Sequence, residues 1–538
     1  MSAVAAPLQP SAYVDGFARA MLPPRSQWPE LVFDLPSLHY PPRFNCASVL
    51  VDGALDAGWG ARMALVQPGL AWRYDALAAQ VDRIAHVLTS DMQLVSGNRV
   101  LVHGGNCLTT AACVLAVIKA GLIAVPTMPL LRARELAAIL DKAQVNAVLS
   151  ADPLCAEFDA LPSCPPVLGF GALTRLMAGH DGAFTALDTA GDDICLISFT
   201  SGTTGLPKGT MHFHRDVLAI CDCFPVHILK SAHDDIFIGT PPLAFTFGLG
   251  GLLLFPLRVG ACAVLLDRPG PEALLAGVAE YRATVCFTAP TFYRQMMALA
   301  PGVDLSSLMS TLKRCVSAGE TLPVATRAAW LAATGLVLID GIGATEMLHI
   351  FISAAGDAVR PGATGKPIPG YRACILDDDG NVVGPGVIGR LAVKGPTGCR
   401  YLDDPRQADY VDQGWNITGD AFEMDADGYF YYRARLDDMI ISAGYNIAGV
   451  DVEEVLLRHP AILECAVVGR ADAERGQIVE AHVVLRDAAL AGAAMVLELQ
   501  DFVRQQIAPY KYPRAIIFAN QLPRTETGKL QRFKLRRH

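Results

Sequence analysis

The densest phosphate-binding chemistry in this sequence lies in one unbroken run. It reads Ser198-Phe199-Thr200-Ser201-Gly202-Thr203-Thr204-Gly205-Leu206-Pro207-Lys208-Gly209. Small residues let backbone N–H groups approach phosphate oxygens, hydroxyls donate further bonds, and a lysine adds a point charge. Apolar residues precede it, so a strand should deliver the loop. Its spacing is not that of a Walker A loop, G-x-x-x-x-G-K-S/T: Gly202 and Gly205 stand too close and Gly209 follows Lys208. That disfavours a P-loop kinase.

Further motifs follow downstream in a fixed order. They are Gly341-Ile342-Gly343-Ala344-Thr345-Glu346, Ile417-Thr418-Gly419-Asp420, Arg435-Leu436-Asp437-Asp438 and Pro523-Arg524-Thr525-Glu526-Thr527-Gly528-Lys529. The first loop resembles the phosphate loop of the adenylate-forming superfamily, which includes acyl- and aryl-CoA ligases, peptide-synthetase adenylation domains and firefly-type luciferases. The later segments resemble that family's Y-G-x-T-E block (isoleucine standing for tyrosine), its T-G-D, its R-x-D-D hinge and its C-terminal lysine motif. The resemblance covers nearly the whole chain.

It implies an α/β adenylate-forming fold. A large N-terminal AMP-binding domain, residues 1–436 with an extended leader over 1–45, would carry α/β sheets and a small β unit. A mobile α+β lid would span 437–538. It also implies ATP, Mg2+ and coenzyme A as reactants. A carboxylate is joined to AMP with loss of pyrophosphate, and a thiol then displaces AMP. On this reading Thr200, Ser201, Gly202, Thr203, Thr204, Gly205 and Lys208 hold phosphates, Thr345 bonds the α-phosphate and Glu346 is the Mg2+ ligand. Lys529 bridges carboxylate and phosphate oxygens as charge builds at phosphorus. Asp420 and Arg435 hold the ribose, and Tyr432 joins the nucleotide site. Ala318, Gly319, Glu320 and Thr321, with Asp340, Gly341, Ile342, Gly343 and Ala344, border the adenine. Asp437 is the hinge, and Gly444 and Tyr445 line the pantetheine channel.

Two segments, Leu243 to Gly250 and Glu346 to Phe351, flank the acyl pocket in that family. Phe245, Thr246, Phe247, Gly248, Ala318, Gly343 and His349 are the candidate substrate contacts. Aromatic and branched side chains suit a flat ring, and no aspartate stands ready for an amino acid's ammonium group. The runs SAGETLP and DGIGATEMLHIF resemble the benzoate-CoA ligase branch. The leader LPPRSQWPELVFDLPSLHYPPRFNCA resembles the 2-aminobenzoate-CoA ligases more closely. Thr246 and His349 are placed to bond an ortho amine or hydroxyl. Other aryl or medium-chain acids, a luciferase-like oxygenase and a carrier-loading enzyme are the alternatives. No carrier domain follows, which favours free CoA.

Regular elements must position these residues. Asn98–Gly105, Leu108–Gly121 and Ile123–Pro129 read as strand, helix and strand, the signature of a parallel α/β sheet. The pattern returns at Ala261–Asp267, Leu274–Arg282 and Ala283–Pro290. From Gly389 to Tyr432 helices give way to short strands. The terminal segment offers helices near Val452–Arg458 and Leu497–Ile507, and strands near Ile462–Val468 and Glu480–Leu485. Its last thirty residues are strongly basic, a cluster that could receive phosphates or a carboxylate.

Composition narrows the class. At 538 residues, 52% hydrophobic and 18% charged, the chain can bury large cores and is not disordered. A net charge of -9 argues against nucleic acid as a partner. The partners expected are an aromatic acid, ATP and CoA, with a monomer or homodimer as the assembly. Fourteen scattered cysteines, with no C-x-x-C, read as reduced thiols rather than a zinc site. His212 and His214 alternate as a strand pair would and read as structural. The uncharged run Ile236–Leu257 is broken by prolines and glycines, so it reads as a buried strand, turn and core helix. With no secretory signal, the chain is expected in the cytoplasm.

Overall fold

The computed structural model describes residues 7–200, 207–299, 304–442, 445–472, 475–524 and 530–536. Ser201, Gly202, Thr203, Thr204 and Gly205 of the phosphate loop, Gly444 and Lys529 lie outside these residues, as do the side chains of Asp437 and Tyr445.

Among the described residues the strands gather into four sheets. One runs in the order Val167–Gly169, Ala147–Ser150, Arg99–His103, Ile123–Thr127, Ile194–Thr200, Lys208–Phe213. It is parallel except for its last pair, where Ile194–Thr200 and Lys208–Phe213 run antiparallel and bracket the phosphate loop. A second sheet runs in the order Lys366–Pro367, Ile350–Ser353, Leu338–Gly343, Arg314–Ser317, Val285–Thr288, Ile236–Gly239, Cys262–Val264, Met63–Gln67, Leu70–Arg73. Helices Cys46–Asp56, Tyr74–His86, Leu108–Lys119 and His214–Phe224 contribute buried residues to the shared core between the two. Helix Leu108–Lys119 is buried along every face, which explains its near-continuous apolar sequence.

An antiparallel sheet of Arg372–Leu376, Ile388–Lys394, Trp415–Met424 and Val411–Asp412, with Phe430–Arg435 on Trp415–Met424, forms the small β unit. The expected loss of helices there needs a correction: Gln407–Tyr410 forms one helical turn, started by Asp404 accepting from the Arg406 N–H. The last sheet holds Tyr445–Ile447, Ile440–Ser442, Gly476–Leu485, Ile462–Asp472 and Ala515–Phe518, covered by helices Gly449–Leu456 and Ala493–Gln506.

His212 and His214 do not share a strand. His212 lies within strand Lys208–Phe213, whereas His214 opens helix His214–Phe224, which Asp216 caps by accepting the Phe213 N–H. The fourteen cysteines are free thiols. Cys46, Cys195 and His214 nevertheless bring their ligand atoms within 4.8 Å of one another, a juxtaposition invisible in the linear sequence. Run Ile236–Leu257 is a strand followed by helical turns at Thr246–Leu249 and Gly250–Leu254. Among the described residues no helix is long and apolar enough to cross a membrane.

The leader is mostly irregular and is pinned to distant loop segments beside the sheets. The Ala12 N–H donates to Asp193 at 3.0 Å, the Phe44 N–H to the Thr189 carbonyl at 2.9 Å, Glu30 N–H to Gly414 at 2.8 Å and Val32 N–H to Gly395 at 2.9 Å.

Candidate active site

The strand Lys208–Phe213 carries Lys208 at its first position and hydrogen-bonds the segment 400–402 along its outer edge. The Met211 N–H donates to the Arg400 carbonyl and the Leu402 N–H to the Gly209 carbonyl, each at 2.8 Å. Arg400 is further fixed by a fully buried ion pair to Asp216 at 2.7 Å and by stacking over the Phe213 ring. Removing one partner of such a pair costs about 3–5 kcal/mol, because a buried charge is left alone. Tyr401 is therefore held rigidly beside Lys208.

Strand Leu338–Gly343 leads into the helical turn Thr345–Met347, and Leu348 closes that turn with φ +66°. The turn delivers Glu346 to Tyr401. The phenol donates to Glu346 Oε1, accepts from Lys208 Nζ at 2.9 Å, and Lys208 Nζ lies 3.6 Å from the same carboxylate oxygen. Burial and the Glu346 charge push the Tyr401 hydroxyl well above its ordinary range, so it stays protonated. Tyr401 escaped the sequence reading; nothing in its spacing marks it.

Across the small β unit, Asp420 and Arg435 are register partners, with Oδ1 and Nη1 3.0 Å apart. Gly419 takes φ +76°, and a Cβ there would meet Arg435 Nη2 at 2.9 Å. That accounts for glycine between Thr418 and Asp420. Burial raises the Asp420 carboxyl, Arg435 opposes the rise, and the nearby Glu346 charge adds to it. Tyr432 packs edge-on against Phe422 at 5.5 Å.

Of the residues expected beside the adenine, Ala318 is buried, while Thr321 is exposed. Glu320 accepts from Thr291 Oγ1 at 2.7 Å and from Arg524 Nη1 at 3.1 Å. Asp340 is buried 3.9 Å from Arg327, and burial pushes its carboxyl up to about 7.

The two pocket segments meet, as their sequences suggest. Phe247 lies 5.8 Å from the His349 ring, which also packs against Phe224, Phe255 and Phe287 at 5.5, 4.5 and 6.4 Å. His349 is buried; neither ring nitrogen meets a partner at full hydrogen-bond geometry, while the Phe247 backbone lies close enough to favour the protonated ring slightly. Burial holds its pKa down at about 3, so the ring is neutral and offers one donor and one acceptor. A Cβ on Gly250 would meet His349 Cδ2 at 2.5 Å, so glycine makes room for the ring. Gly248 likewise sits against the Pro242 carbonyl, Thr246 is buried, and Phe245 is half-buried.

The structure thus brings together a hairpin carrying Lys208, an acidic turn facing that lysine and an aromatic box. The chain belongs to the AMP-binding enzyme family, in the aryl-CoA ligase branch of the adenylate-forming enzymes: the family's model matches residues 56–400 and its C-terminal domain model residues 451–529. It is similar to a benzoate–CoA ligase of Thauera aromatica, 35% identical over 514 residues, 93% of this chain and 97% of that one. Among solved structures it is similar to the anthranilate CoA ligase AuaEII in complex with anthranoyl-AMP, with TM-score 0.88, 31% identity and coverage of 93% and 98%. A benzoate CoA ligase from Burkholderia xenovorans LB400 gives TM-score 0.84, 32% identity and coverage of 92% and 100%.

Proposed function

We propose that this enzyme activates an aromatic carboxylate, 2-aminobenzoate first and benzoate also, and transfers it to coenzyme A. In the first step a carboxylate oxygen attacks the α-phosphorus of ATP, the bond to the bridging oxygen breaks, and pyrophosphate leaves. In the second the CoA thiol attacks the acyl carbon, its proton is lost, and AMP leaves with the electron pair.

The observation that carries the substrate reading is the neutral imidazole of His349 inside an aromatic box, its nitrogens short of full hydrogen-bond geometry. An ortho amine supplies a hydrogen-bonding group to a site whose two ring nitrogens otherwise lack a full hydrogen bond. A benzoate ring fills the box without that gain. Thr246 is the second candidate for the same contact.

The remaining roles follow the motifs. Lys208 and the loop before it bind phosphate, Thr345 bonds the α-phosphate, and Asp420 with Arg435 holds the ribose. Residues 318–321 and 340–344 border the adenine. One buried carboxylate beside a triphosphate matches the sparse protein ligation that Mg2+ takes, so Glu346 would hold it. There the ion supplies neutralisation of phosphate charge. Residues 437–538 act as a lid turning at Asp437, and Gly444 with Tyr445 passes the pantetheine arm. The cytoplasm is the compartment where ATP and CoA meet this enzyme.

The test is CoA- and ATP-dependent AMP release across benzoate, 2-aminobenzoate, hydroxybenzoates, phenylacetate and medium-chain fatty acids. The enzyme should prefer 2-aminobenzoate, and His349→Phe should lose more of that activity than of benzoate activity. Equal loss of both acids, or preference for an aliphatic chain, overturns the substrate reading.

A further inference from the structure

Three ligand-bearing side chains meet where the leader ends. Cys46 opens helix Cys46–Asp56, Cys195 lies in strand Ile194–Thr200, and His214 opens helix His214–Phe224. Both sulfurs and one imidazole nitrogen lie within 4.8 Å of one another, and all three residues are at most 1% exposed. Cys46 Sγ is 3.2 Å from His214 Nδ1. Among the described residues no other such cluster of three ligands occurs.

The hydrogen bonds around the imidazole put its lone pair on the sulfur side. Tyr13 donates its hydroxyl proton to the Ile194 carbonyl at 2.9 Å, so at 3.2 Å it accepts from His214 Nε2. Nδ1 therefore carries the lone pair, which accepts the Cys46 N–H at 3.1 Å. A metal-binding histidine is built the same way: a polar partner holds the outer N–H and fixes both tautomer and ring orientation. Tyr13 belongs to the leader, so seating the leader also orients the ring.

We propose that Cys46, Cys195 and His214 form a structural site for a thiophilic divalent cation, zinc first. Two sulfurs and an imidazole select a borderline-soft ion over Mg2+ or Ca2+, which take oxygen ligands. Binding releases both thiol protons, the ion takes the Nδ1 lone pair, and the two thiolates offset the charge of a divalent ion. The buried site is then neutral overall, whereas a monovalent ion would leave a net negative charge in the interior. Ile194 pairs with Phe213 at the open end of the hairpin whose other end is Thr200 and Lys208. The ion would thus fasten both feet of that hairpin to the start of helix Cys46–Asp56. Linear spacing hides the site, because its ligands are scattered over 168 residues.

The test uses the full chain, reduced, stripped with a chelator, and titrated with Co2+ or Zn2+. Co2+ should bind one ion per chain and give a sulfur-to-cobalt charge-transfer band with the intense visible bands of tetrahedral geometry. Zn2+ should bleach that spectrum and raise Tm by a few degrees. Cys46→Ser and Cys195→Ser should each cut the charge-transfer band. Tyr13→Phe, which removes only the outer partner of the imidazole, should weaken binding by about 10–100-fold. Cys286→Ser, which changes a buried thiol on the other sheet, should leave band and affinity intact. Zinc-edge X-ray absorption of the loaded wild type needs no variant, and should show two sulfurs and one imidazole around the ion. Absence of the band, a band that survives both serine changes, or a zinc shell without sulfur overturns the site.

Discussion

The hydroxyl of Tyr401 stands between Lys208 and Glu346, accepting from the ammonium and donating to the carboxylate. It joins the loop that would hold phosphates to the acid that would hold their counter-ion. On the proposed roles, an entering triphosphate would give Lys208 and Glu346 each a stronger partner, and the phenol would keep them aligned without adding charge.

Tyr401→Phe should leave the fold intact, because the ring keeps its packing. It should lower ATP–pyrophosphate exchange by about tenfold, consistent with one lost hydrogen bond to a charged group. Thioester formation from preformed adenylate should change little. A variant with undiminished exchange would make this tyrosine a packing residue only.

Lys529→Ala should reduce adenylate formation by about a hundredfold or more, as expected for losing one donor to developing charge. Conversion of synthetic aryl-adenylate to thioester should survive. Rapid-quench measurement of each step decides it, and parallel loss of both would remove Lys529 from its assigned role.

Asp437 occupies a single helical turn, Leu436–Asp438, between the small β unit and the last sheet. Proline there fixes φ near −65° and removes an N–H. Asp437→Pro should hold the arrangement in which Arg524 meets Glu320, so adenylate accumulates while thioester formation falls steeply. Product ratios equal to those of the native enzyme would place the hinge elsewhere or nowhere.

His349 also makes a prediction about acid. Its native pKa, held down at about 3 by burial, lies below the roughly 6.5 of an unfolded histidine. Above that value both states are neutral and stability is full. As pH falls from 6.5 towards 3 the unfolded chain takes up a proton that the native ring refuses, and stability drops. His212, held down at about 4, adds to the same slope. His349→Phe should flatten the fall of Tm between pH 6.5 and 4, measured by differential scanning calorimetry. An unchanged slope would mean that the ring is hydrated in solution.

The phosphate-loop expectation rests on local chemistry, since hydroxyls, glycines and a lysine must be adjacent to surround one anion; residues 201–206 lie outside the described ones. The α/β alternation around Arg99–Thr127 was legible for the same reason, since period and turn residues are read within a window. Tyr401 was not. It reaches Lys208 only because the segment 400–402 pairs with the strand Lys208–Phe213, a contact almost two hundred residues apart. The aromatic box likewise draws Phe224, Phe255, Phe287 and His349 from separate elements, so only the Phe247 and His349 segments were visible beforehand. Glu320 read as an adenine-side residue, and its partner Arg524 as one charge in a basic tail. His214 was read into a strand because alternation over two residues cannot tell a strand's end from a helix's start.

The pinned leader has a consequence for how this protein comes into being. Residues 30 and 32 leave the ribosome well before their hydrogen-bond partners, Gly414 and Gly395, which emerge more than 350 residues later. At roughly 5–20 residues per second, that strip of chain waits tens of seconds for its dock. Meanwhile the apolar surface it will cover stays open on the growing polypeptide. Such long-range closure makes the last steps of maturation slow and exposes the nascent enzyme to aggregation or chaperone capture. The bulk of the large domain can form around its parallel strands before then, but its outer seam closes only once the segment 395–414 has been made.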